Sequence, residues 1–147
     1  MQATPVPAYR VAAGHLVLTP WQAGRLLALK AERQGKDHVN HFLVPLDPWP
    51  DRRSMRLLYL DPETALLPVA GMALAFSPRA DGDGPEVGDA IDTGSATWLK
   101  VLDDPQSQRL FCYVEVGSGL VRPRMERHAH RTLVWRMDRL YTGEPLK

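Results

Sequence analysis

The C-terminal half of the chain shows the clearest hydrophobic pattern, an alternation with period two. In residues 109–116, Leu110, Cys112, Val114 and Val116 fall on one side, and Phe111, Tyr113 and Glu115 on the other. That period predicts a strand with one face in the core. Gly117-Ser118-Gly119 has hairpin-turn chemistry. Residues 120–127 then return as a second strand, where Pro123 requires an edge or a bulge. Residues 132–137 read as a last strand, with Leu133, Trp135 and Met137 on one face. Residues 96–102 alternate more weakly, and Asp104-Pro105-Gln106-Ser107 reads as a turn. Strands joined by short turns predict an antiparallel meander.

The N-terminal half reads differently. Thr19-Pro20-Trp21-Gln22 has the form of a helix start. Threonine can cap, proline suits the first helical position, and glutamine can reach back to the cap. The apolar residues Ala23, Leu26, Leu27 and Leu29 follow, and Gly35 supplies a C-terminal stop. A helix over residues 20–34 is therefore expected. Residues 14–18, 39–46 and 55–60 read as strands, the second ended by Pro45 and Asp47-Pro48-Trp49-Pro50. Residues 65–76 are apolar but interrupted by Pro68 and Gly71, and periodicity does not separate helix from strand there. Residues 1–7 are expected to be a loose terminus, and 77–88 a mobile loop. The resulting fold class is α+β. One N-terminal capped helix packs on a mostly antiparallel sheet or partly open small β-barrel, in a single domain spanning residues 1–147.

Composition narrows the setting. With 44% hydrophobic and 24% charged residues, the chain has what one ordinary core requires. Its single cysteine, Cys112, allows no internal disulfide. No charged-then-apolar opening suggests a signal peptide, and no apolar run approaches a membrane span, so a cytoplasmic location is expected. The net charge of +1 is unevenly distributed. Residues 81–108 hold seven acids against Lys100, and residues 109–139 hold seven arginines against three acids.

Candidate chemistry is sparse. Ile91-Asp92-Thr93-Gly94-Ser95 resembles the catalytic turn of pepsin-like and retroviral aspartic proteases. The resemblance implies a pair of such aspartates sharing a proton. The flap and the later apolar-apolar-Gly segment of that family have no counterpart after Gly94. The alternative is an ordinary acidic turn capped by Asp92. His128 and His130 share the spacing of one strand face, with His38 or His41 as a third candidate ligand. The flanking Arg127 and Arg131 oppose a bound cation, and no metal is expected. Cys112 reads as inert core packing. No phosphate loop or dinucleotide fingerprint is present, so no cofactor is expected.

The most suggestive stretch is basic. Arg122, Arg124, Arg127, Arg131 and Arg136, beside Phe111 and Tyr113, can make phosphate, carboxylate and stacking contacts. Alternatively, these arginines pair with the chain's own acidic stretch. The expected function is a non-enzymatic binding or assembly module, with this Arg-rich hairpin face meeting a protein or other anionic partner. A protein partner or homo-oligomer is expected, without a membrane. Nucleic-acid binding is the alternative, followed by a small hydrolase with a dispersed site around Asp92.

Overall fold

The computed structural model describes residues 4–48, 51–79, 85–103, 110–125 and 131–139, with residues 137–139 described by their backbone only. Among the described residues, twelve strands form two antiparallel sheets of six. The strands are β1 Val6–Pro7, β2 Leu16–Trp21, β3 Gly24–Gln34, β4 Val39–Asp47, β5 Leu58–Leu60, β6 Ala65–Pro68, β7 Met72–Pro78, β8 Ala90–Asp92, β9 Thr97–Leu102, β10 Phe111–Glu115, β11 Val121–Arg122 and β12 Arg131–Arg139. The first sheet runs β1-β6-β2-β3-β4-β5, and the second runs β11-β10-β9-β8-β12-β7.

The expected α+β class is therefore corrected to nearly all-β, and no α-helix occurs among the described residues. The chain at 20–34 is a β-hairpin in place of the capped helix. Thr19 and Pro20 belong to β2, paired with Leu26 and Arg25 of β3. Trp21 faces Gly24, so Gln22 and Ala23 are a two-residue turn, with Gln22 at φ 50°. Positive φ at the first central position is what the tight hairpin turns require. Thr19 therefore caps nothing. The helical reading failed because β3 is central and buried on both faces. Leu27, Leu29 and Ala31 enter the core between the sheets, while Leu26 and Ala28 enter a second cluster behind. A strand covered on both sides loses its alternation and mimics a buried helix segment. Pro45 does not end β4 but lies inside it, beside a register shift at Leu27/Ala28, where a missing N–H is tolerated.

The ambiguous segment 65–76 is two strands. β6 belongs to the first sheet and β7 to the second, with Gly71 at φ 76° in the crossing between them. The main core lies between the sheets and includes Leu29, Phe42, Val44, Leu99, Val101, Val114 and Trp135. The first sheet curls into a half-barrel. Its end strands β1 and β5 both line the second cluster, around Ala8 and Val11 from the 3-10 turn Ala8–Arg10.

Two seams join the sheets. Met55 and Leu57 exchange backbone hydrogen bonds with Leu102. On the other side the β10–β11 hairpin docks on β3, where Glu32 N–H donates to Gly119 O at 2.9 Å. This contact is close: a Cβ on Gly119 would lie 2.3 Å from Gly14 N and 2.6 Å from Lys30 O.

Candidate functional site

Two places concentrate chemistry, one buried and one exposed. The buried one is built on β3 and β4. Lys30 and Glu32 lie two apart on β3 and so share a face, and His41 is the direct cross-strand partner of Glu32. The Lys30 side chain is 0% exposed. Its Nζ lies 2.8 Å from His41 Nδ1 and 3.2 Å from Glu32 Oε1, with Glu32 3.7 Å from the imidazole. An ammonium here donates to both neighbours, which places the hydrogen of a neutral His41 on Nε2. Burial lowers the Lys30 pKa below its ordinary value, and the hydrogen bond and charge of Glu32 oppose the shift. Burial also lowers the His41 pKa; the Lys30 charge adds to the effect and Glu32 opposes it.

A pH dependence follows for His41. A histidine with a lowered folded pKa binds more protons when unfolded, so stability falls as pH drops from 6.5 through the folded value. Urea midpoints measured between neutral pH and about pH 5 should fall in the wild type. His41→Gln should remove a measurable part of that acid slope, and an unchanged slope would contradict the assignment. The sequence signal for this cluster was a lone lysine two residues before a glutamate in an apolar run. On a helix that lysine faces solvent, whereas on a doubly buried strand it faces inward.

The exposed place is the outer face of the second sheet. Leu99, Val101, Cys112 and Val114 point into the core, so alternation turns Trp98, Lys100, Phe111, Tyr113 and Glu115 outward. Tyr113 is flanked across the sheet by Lys100 on β9 and Arg122 on β11. Phe111 and Tyr113 meet edge to face at 6.3 Å. Lys100 Nζ lies 3.9 Å from the Phe111 ring centre, and Arg122 lies 6.0 Å from that of Trp98, both within cation–π range. Phe111 is 43% exposed.

The structure thus brings together three of the residues expected to bind a partner: Phe111, Tyr113 and Arg122. Trp98 and Lys100 join them from β9. Arg124 is exposed but lies beyond the two-residue β11, so the expected arginine row on that strand does not form. Arg131 and Arg136 lie on β12, four strands from β11, or about 19 Å at the usual strand spacing. Arg127, His128 and His130 lie outside the described residues, as does the turn at 104–107.

Among the described residues, the acids of the acidic stretch pair mostly with arginines from elsewhere. Asp89 meets Arg79 at 2.6 Å, Asp103 meets Arg33 at 3.0 Å, and Glu86 meets Arg53 at 3.5 Å. Arg131 is the one member of the basic stretch that takes part among the described residues, meeting Asp92 at 2.9 Å. Among the described residues no carboxylate lies in ion-pair range of Lys100, Arg122 or Arg124.

The turn that resembles an aspartic protease connects β8 to β9. Asp92 Oδ1 accepts from the Gly94 N–H at 2.9 Å, and Oδ2 accepts from Arg131 Nε. These donors, the Gly94 amide foremost, hold the carboxyl below the usual carboxylate range. Asp92 is fixed as an anion closing a hairpin turn. His41 lies in the buried cluster and His38 in the exposed β3–β4 turn. Among the described residues, no three His, Cys, Asp or Glu side chains form a metal-sized group. Cys112 is buried, and burial pushes its thiol up to about 12. No described helix is long and apolar enough to cross a membrane.

No family model matches this chain, and no curated protein or solved structure matches it.

Proposed function

We propose that this chain is a non-enzymatic binding module that receives an anionic partner on the outer face of its second sheet. The observation that carries the reading is the row Lys100–Tyr113–Arg122 across β9, β10 and β11, with no carboxylate in ion-pair range of either cation among the described residues. Lys100 also donates to Pro85 O at 3.1 Å and feels the charges of Asp89 and Glu86, whereas the exposed Arg122 meets no acid among the described residues and favours complementary charge from outside. The rings of Trp98, Phe111 and Tyr113 add rigid apolar area beside those charges, the composition of binding hot spots. The engaged state of Asp92 and the high thiol pKa of Cys112 support a binding role over catalysis.

A protein partner presenting carboxylates is the first reading. Single-stranded nucleic acid is the second, favoured by the interleaving of three aromatic rings with two cations. The two are separated by titrating labelled poly-glutamate, oligo-dT and oligo-rU over a salt series. The wild type should bind at least one probe, more tightly at low salt. Arg122→Glu with Arg124→Glu should leave the melting temperature nearly unchanged and weaken binding by about tenfold or more at low salt. Absence of binding to every probe, or wild-type affinity in the double variant, would reject the face as the site.

A further inference from the structure

β7 closes the second sheet at the edge opposite β11, away from the aromatic face. Four strands end the two sheets: β1, β5, β11 and β7. The first three have two, three and two residues. Very short edge strands are a usual protection against pairing with other chains. β7 lacks that protection. It has seven residues, Met72-Ala73-Leu74-Ala75-Phe76-Ser77-Pro78, none of them charged.

Its register shows what the edge presents. Arg79 N–H donates to Thr132 O at 2.9 Å, one step beyond the Pro78–Leu133 pair. Hydrogen-bonded and non-bonded pairs alternate in an antiparallel ladder. Ser77, Ala75 and Ala73 therefore exchange bonds with β12. Met72, Leu74 and Phe76 turn their N–H and C=O groups outward, and among the described residues no strand meets them. Pro78 falls on the outward set as well, where a missing N–H is tolerated. The side chains of Met72, Leu74 and Phe76 pack against the main core yet remain partly exposed. Among the described residues the core is thus partly open along this edge.

We infer that β7 pairs with β7 of a second copy of this chain, antiparallel about a two-fold axis. The two six-stranded sheets would then run on as one. A strand without charge offers no ionic contact to an acidic or basic peptide, but it matches its own copy. A two-fold places the same patch on both sides. Leu74 and Phe76 of the two copies meet along the open core edge. On the outer face each β7 carries the small Ala73, Ala75 and Ser77.

The test uses the full chain in sedimentation equilibrium and light scattering, over roughly 1 μM to 1 mM. The wild type should be a dimer at the upper end of that range. Ala73→Lys with Ser77→Lys places like charges across the junction on the outer face, away from the core. That variant should be monomeric with wild-type circular dichroism, while Arg122→Glu, at the far edge, should still dimerise. Should the lysine variant fail to fold, hydrogen exchange of the wild type decides. The Met72, Leu74 and Phe76 amides should become protected as concentration rises. A wild type that stays monomeric throughout, a dimer that survives both lysines, or protection independent of concentration would overturn the inference.

Discussion

Glu32→Gln is expected to lower the unfolding free energy by about 3 kcal/mol, a cost typical of removing one partner from a buried ion pair. The variant keeps the shape of residue 32 and an amide oxygen that can accept, but it leaves the fully buried Lys30 ammonium with neutral acceptors and no charge partner. Lys30→Met should behave differently. It removes the charge whose burial creates the cost and fills similar volume, so it should stay within about 1 kcal/mol of wild type or exceed it. Combining the two should recover most of the stability that Glu32→Gln alone loses, because the uncompensated charge is gone. Urea unfolding at neutral pH measures all three. If Glu32→Gln costs less than about 0.5 kcal/mol, Lys30 does not depend on that carboxylate.

The second large effect is at the hairpin seam. Gly119 is at φ 70°, and its missing side chain faces backbone on three sides, with Ala13 C 2.7 Å from the ideal Cβ position beside Gly14 N and Lys30 O. None of these atoms belongs to a side chain that could swing away. Gly119→Ala should cost at least about 3 kcal/mol, combining left-handed strain with overpacking. Two controls separate those contributions. Gly94 is also at positive φ but has open space around it, so Gly94→Ala should cost only about 1–2 kcal/mol. Gly117 is not at positive φ and has open space, so Gly117→Ala should stay within about 0.5 kcal/mol. Equal effects at Gly119 and Gly117 would mean that the hairpin does not bear on β3 as described. Because the same hairpin carries Tyr113 and Arg122, Gly119→Ala should also weaken binding at the outer face.

Much of the second sheet was legible in the chain. Phe111–Glu115 alternates because one of its faces meets the core and the other water, and the Gly117–Gly119 turn is a local matter of backbone freedom. The juxtaposition of Phe111 and Tyr113 follows from their spacing on one strand. The addition of Trp98 and Lys100 does not. It depends on which strand lies beside β10 and in what register, and a residue's cross-strand neighbours are set by topology.

The sequence by itself determined that the C-terminal half is stranded, that Cys112 faces the core, and that the acids and arginines lie in separate blocks. Local chemistry decides such features. Tertiary structure alone decided that 20–34 is a hairpin. The Thr-Pro-x-Gln start is compatible with both a helix cap and a turn, and only burial of β3 on both faces selects the strand. It also decided which arginines find acids. Arg33, Arg53 and Arg79 reach the acidic stretch from distant elements, while Arg122 and Arg124 meet no acid among the described residues, because charge pairing follows distance in space. Finally, it decided that Lys30 is buried and that β7 is a long edge strand that no other strand covers among the described residues. Both depend on how many layers and neighbours a strand acquires, and those exist only once the sheets have assembled.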